Sequence, residues 1–192
     1  SAFLRPPAQS HHTEVGRWNQ DCLQCHATRS RPRIDPKGLA KADTEVGEFG
    51  IACEACHGPA KDHVALYRSP ITRYLARLSD SPGENIVNPA KLSAPESTMV
   101  CGQCHGIHLF KSQPDALKWF EHGFTYRPGE EEHDRFPVRP TSRDPRLTNG
   151  LQSRPTFLQD RFWSDGMVRV NGREYNGMLY TPCFERGEMS CL

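Results

Sequence analysis

Six of the eight cysteines in this chain fall into three copies of one pentapeptide. The copies are Cys22-Leu23-Gln24-Cys25-His26, Cys53-Glu54-Ala55-Cys56-His57 and Cys101-Gly102-Gln103-Cys104-His105. Two thiols three positions apart leave one side of a helical turn, where they can add to the two vinyl groups of a porphyrin as thioethers. The His directly after the second Cys then reaches the iron as its proximal axial ligand. Structural zinc and redox dithiols also use Cys-x-x-Cys pairs, but neither needs His at the next position every time. The expected cofactor is therefore haem c at three complete sites. Cys22/Cys25, Cys53/Cys56 and Cys101/Cys104 attach it, and His26, His57 and His105 are the proximal ligands.

Cys183 and Cys191 stand outside the motifs. Cys191-Leu192 repeats Cys22-Leu23, so we expect a fourth motif interrupted at Leu192 and a chain that is part of a longer polypeptide. The alternative is a Cys183–Cys191 disulfide, which an oxidising compartment permits.

Each iron has a second axial position. The histidines left for it are His11, His12, His63, His108, His122 and His133, with Met99, Met167, Met178 and Met189 as competitors. Imidazole is the stronger donor to ferric iron, so bis-His sites lie at lower potential than His/Met sites. His63 is six residues past His57, too near to fold back onto the same iron, and should reach a neighbouring haem. His108 is one turn past His105, which on a continuing helix sends both rings from one face and directs His108 to another haem. His11 or His12 suits an N-terminal arm laid over a haem face. His122 and His133 follow them as weaker candidates.

The elements expected to carry these residues are short. Asp21 can cap the turn from Cys22 to His26. Gly58-Pro59 ends the second motif's turn, and helices are expected over Lys61–Arg68 and Pro70–Leu78, with Pro70 in a first turn. Ile71, Tyr74, Leu75 and Leu78 share one face of the latter. Thr98-Met99-Val100 leads helically into the third motif, and Pro114–His122 reads as an amphipathic helix closed by Gly123. Residues 127–160 are rich in Pro, Arg, Asp and Glu, which reads as a long surface loop. Asn171-Gly172 predicts a small β-hairpin near 167–176, with a second tight turn at Asp165-Gly166.

Gly and Pro together make up 31 of 192 residues. The apolar fraction, counted with Gly and without Tyr, is about 41% against 45–50% in globular domains. The fold class is thus mainly α with little regular secondary structure, and packed haems form the core. Residues 1–192 are expected to make one multihaem domain, although the length also allows two small ones. The 24 basic and 23 acidic residues nearly cancel, so there is no footprint for nucleic acid and no polybasic anchor. No stretch approaches the roughly 20 apolar residues of a membrane span. Covalent haem is attached outside the bacterial cytoplasmic membrane, so a periplasmic or extracellular location is expected, although no signal peptide is visible in this chain.

Cys53-Glu54-Ala55-Cys56-His57-Gly58-Pro59 followed by His63-Val64 resembles the motif of multihaem cytochromes related to cytochrome c554. Gly16-Arg17-Trp18-Asn19, Tyr126-Arg127-Pro128-Gly129 and Phe162-Trp163-Ser164-Asp165-Gly166 are similar to blocks of the same family. The resemblance implies an exported protein of four or more haems, sparse secondary structure, closely packed haem pairs, electron transfer, and His63 as a distal ligand.

Several haems in a small domain suit the movement of single electrons between redox partner proteins. The rival reading is an oxidoreductase in which one iron without a distal ligand acts on hydroxylamine, nitrite or a related small nitrogen compound. A third is a haem-carrying scaffold within a longer chain. The number of irons with two protein ligands separates the first two.

Overall fold

The computed structural model describes residues 18–35, 42–79, 86–131, 134–140, 151 and 155–192. His11, His12 and His133 lie outside them, as do Gly16 and Arg17. The chain divides into two compact units. One combines Ser1–Ala52 with Gln113–Thr125, and the other combines Cys53–Ser112 with Tyr126–Leu192.

In the first unit a wide helical turn, Trp18–Cys22, runs into the short helix α1 (Leu23–His26). Strands β1 (Ala27–Thr28) and β2 (Glu48–Phe49) pair antiparallel, with Ala27 opposite Phe49. Leu23, Ile34 and Trp119 are buried here. The Trp119 ring meets Phe120 edge-on at 5.2 Å and lies 5.6 Å from Phe124. Trp119 belongs to the helix Gln113–His122, whose end follows the expectation from Gly123: φ is +77°, and the Gly123 N–H bonds the Trp119 carbonyl at 2.9 Å. A Cβ at Gly123 would also collide with the Ser30 carbonyl, so glycine is required twice over.

The second unit begins with α2 (Cys53–His57), α3 (Lys61–Arg68) and α4 (Pro70–Leu78). Ser69 caps α4 by accepting from the Thr72 N–H, and Pro70 occupies its first turn, where a missing N–H costs nothing. The apolar face expected on α4 is present and uncovered: Ile71, Tyr74, Leu75 and Leu78 are all more than half exposed. Next comes α5 (Ala94–His105), the longest helix among the described residues. Ser93 and Glu96 close a reciprocal capping box at its start.

Two expectations need correcting. Residues 127–160 are not all surface loop. Arg135–Pro137 forms β4, which pairs antiparallel with β3 (His108–Phe110), setting His108 opposite Pro137 and Phe110 opposite Arg135. The Val138 N–H then bonds the Ile107 carbonyl at 2.8 Å. Val138 and Phe157 join Ile107 and Phe162 in a small core, and Phe157–Arg161 is helical. The apolar run Phe136-Pro137-Val138 is too short to outweigh its charged surroundings in a windowed reading.

The hairpin expected near 167–176 is displaced. Asn171-Gly172 does turn, but it leads into the helix Glu174–Met178 instead of a returning strand. The β-like pairing lies one turn earlier, where Phe162 bridges Val168 and the Trp163 N–H bonds the Met167 carbonyl at 2.7 Å around Asp165-Gly166. Side-chain bonds from residues 173–176 to the third motif hold the later segment helical.

Candidate haem-attachment sites

None of the eight cysteines is in a disulfide. Burial raises the thiols of Cys22, Cys56 and Cys101 above the usual range, with neighbouring cysteines adding to the effect. Among the described residues no three or more His, Cys, Asp or Glu converge into a metal-holding group. Each motif brings two thiols and one imidazole to a single helical turn or its end.

The first motif is built by local hydrogen bonds. The Thr28 hydroxyl donates to the Gly50 carbonyl and accepts from the Ala52 N–H, each at 2.9 Å, and the Gly50 N–H bonds the His26 carbonyl at 2.9 Å. Asn19 donates to Thr44 at 2.6 Å, and Thr44 donates to the Pro32 carbonyl. Trp18 stacks on Phe49 with 6.1 Å between centroids. Asp21 is not the cap expected of it. The wide turn from Trp18 runs straight into α1, and Cys22 takes the cap position without a side-chain bond. His26 is exposed.

The second motif is held by backbone. His57 Nδ1 lies 2.7 Å from the Val87 carbonyl, and the Val87 N–H returns a bond to the His57 carbonyl at 3.1 Å. A carbonyl only accepts, so Nδ1 is the donor, and Nε2 is the ring nitrogen left for another partner. Glu54 Oε1 accepts from the Ala60 N–H at 2.7 Å, fixing the exit from the turn.

The third motif is held by side chains, in a cluster that sequence reasoning missed. Four consecutive residues grip it. Arg173 Nη1 donates to the Cys104 carbonyl, and Glu174 Oε2 lies 3.0 Å from His105 Nδ1. The Tyr175 ring lies where a Cβ at Gly102 would be, within 2.8 Å of it, so only glycine fits there. Asn176 is fully buried, accepts from the Ile107 N–H at 2.5 Å and donates to the carbonyls of Ile107 (3.0 Å) and Val138 (2.9 Å). A carboxylate only accepts, so His105 too donates through Nδ1, and Nε2 is the ring nitrogen left for another partner. The only sequence trace of this clamp is the run Arg173-Glu174-Tyr175-Asn176, sixty-nine residues from the atoms it binds.

Gln103 joins the second and third motifs by donating to the Ala55 carbonyl at 2.9 Å. Cys191 sits beside Cys101, which it helps to keep protonated, with its Sγ 4.0 Å from Met178 Sδ. It is not bonded to Cys183, so the disulfide alternative is absent.

The candidate distal ligands divide. His63 lies on α3 as expected, half-buried, its ring 4.7 Å from Tyr67 and its Nδ1 enclosed without a hydrogen-bond partner. His108 does not share a helical face with His105, because α5 ends at His105 and His108 opens β3. Its ring stacks on Tyr175 at 5.8 Å, and burial, with help from the nearby Arg135, pushes its pKa down to about 3. It is therefore neutral, the form in which imidazole binds metal. His122 ends its helix exposed, 3.5 Å from Glu121, and lines an open cavity of about 800 Å³ with Arg31, Arg33 and Lys118.

Residues 6–58 match the family of cytochrome c554 and c-prime. Over those residues the chain is similar to that family. The match takes in the first two motifs and Gly58, so the resemblance read from the motifs holds there and points to a c-type cytochrome with covalent haem and a role in electron transfer. No curated protein and no solved structure matches the chain. No helix among the described residues is long and apolar enough to cross a membrane.

Proposed function

We propose that this chain is a multihaem c-type cytochrome domain, exported to the periplasm or beyond, that passes single electrons between redox partner proteins. The observation that carries the reading is the state of the motif histidines. His57 and His105 each follow a Cys-x-x-Cys turn and each donate Nδ1–H to an acceptor, which leaves Nε2 for iron. Metal-bound histidines are oriented in this way, the second nitrogen fixing tautomer and ring plane. When bound, haem supplies a one-electron iron couple. The residues present fit it: cysteine pairs free of disulfides, and rings at His57 and His105 that each turn Nδ1 to an acceptor.

Cys22/Cys25, Cys53/Cys56 and Cys101/Cys104 hold the three groups, with His26, His57 and His105 proximal. His63 and His108 are the first choices for distal ligands in mostly bis-His sites, followed by His11 or His12. The Gln103–Ala55 bond favours close spacing of the second and third sites, as rapid transfer between haems requires.

Optical titration of the protein produced with haem tests this. Reversible one-electron steps with low-spin iron in both states are expected. High-spin iron that binds and turns over hydroxylamine or nitrite would favour the oxidoreductase instead.

A further inference from the structure

The second and third motifs present the same pentapeptide but different acceptors to the proximal ring, a neutral carbonyl at His57 and a carboxylate at His105. We propose that Glu174 is a positioning residue that lowers the reduction potential of the haem held by Cys101 and Cys104. The inference rests on the cytochrome reading above and goes beyond it.

The effect is electronic. A carboxylate accepting Nδ1–H draws that proton toward itself and makes the ring a stronger donor through Nε2, which stabilises the ferric state. A backbone carbonyl does the same far less, because charge-assisted bonds are about twice as strong as neutral ones. Glu174 is also fixed in place. Its other oxygen accepts from the Gly172 N–H at 3.0 Å, Arg173 is tied to the Cys104 carbonyl, and Asn176 is anchored to Ile107. A glutamate carboxyl is ionised at neutral pH, so the acceptor facing His105 Nδ1 at 3.0 Å is a carboxylate. Both side chains are more than half exposed, at 58% for His105 and 69% for Glu174, so solvent screens the charge and the effect is moderate.

The test compares the haem-loaded wild type with Glu174→Gln, which keeps an acceptor and loses the charge, and with Glu174→Asp, which keeps the charge. Haem content is counted first by mass, and midpoints are then measured by optical potentiometry. In Glu174→Gln one midpoint should rise by an amount on the order of a tenfold change in the oxidised-to-reduced ratio, which is 59 mV for one electron. It should be the midpoint missing from the Cys101→Ser/Cys104→Ser variant, with the others unmoved and Glu174→Asp closer to wild type. Unchanged midpoints at full haem content overturn the inference and leave the cytochrome reading standing. Loss of the third haem in Glu174→Gln also overturns it, since Glu174 would then be a structural anchor. A wild type without haem overturns both.

Discussion

The second and third motifs share a pentapeptide and lie in the same unit, yet the chain secures them by different means. Around the second, the partners are mostly backbone: Val87 pairs both ways with His57, and Glu54 supplies one side-chain bond at the exit. Around the third, one tetrapeptide brings four side chains to Gly102, Cys104, His105 and the nearby Ile107, and the small core of Ile107, Val138, Phe157 and Phe162 stands beside it. The lesson is that one Cys-x-x-Cys-His spacing is compatible with quite different surroundings. Backbone tolerates change in any side chain but makes little electrostatic distinction between sites, whereas a side-chain clamp can be tuned residue by residue and can fail residue by residue.

Substitutions at matched positions sharpen that contrast. The largest effect should come from Asn176→Ala, which leaves the Ile107 N–H and the Val138 carbonyl buried without their Asn176 partner, while the Ile107 carbonyl keeps its bond from the Val138 N–H. A loss of about 3 kcal/mol in urea unfolding is expected. Glu54→Ala, at the second motif, should cost only about 1 kcal/mol. Equal losses at the two sites would erase the distinction.

Gly102→Ala comes next. The first position between the cysteines is Gly102 in one motif and Glu54 in the other, and the Tyr175 ring allows no Cβ at the former. Overpacking should cost about 1–3 kcal/mol, and the same substitution should cost less when made in the Tyr175→Ala background. An unfolding curve identical to wild type would place the ring elsewhere.

Smaller again is the cap of α5. Ser93→Ala should cost about 1 kcal/mol. The bonds to Ser93 lower the Glu96 pKa, so its contribution is complete above the ordinary carboxylate range and is lost as pH falls through the lowered folded value. The stability difference between wild type and Ser93→Ala should therefore shrink on acidification and hold constant above neutrality. A difference that grew as pH fell would contradict the capping geometry.

The least effect is expected from Leu75→Ser on α4. Its apolar face is more than half exposed, so stability should change by no more than about 0.5 kcal/mol. A loss of several times that would mean this face is covered in the loaded protein.

Legibility from residues alone divides along the same line. The three Cys-x-x-Cys-His motifs stand out in the sequence because the covalent link proposed for them would demand fixed types at fixed spacing. The helices Lys61–Arg68, Pro70–Leu78 and Gln113–His122 were legible because Pro, Ser and Gly punctuate them locally. The Arg173–Asn176 clamp was not, because its meaning depends on atoms sixty-nine residues away and no local period marks it. The hairpin expected at Asn171-Gly172 failed for the same reason: the turn formed, but side-chain bonds to the third motif hold residues 174–178 as a helix. Strand β4 was hidden by composition, since three residues of pairing do not alter the average of a charged, Pro-rich segment.

Covalent attachment is the claim on which the rest stands. Protein made in a host competent for covalent haem attachment can be digested and its peptides weighed. Three haem-bearing peptides are predicted, spanning Cys22/Cys25, Cys53/Cys56 and Cys101/Cys104, each heavier than its bare sequence by one haem. Peptides of bare mass at all three positions would contradict it.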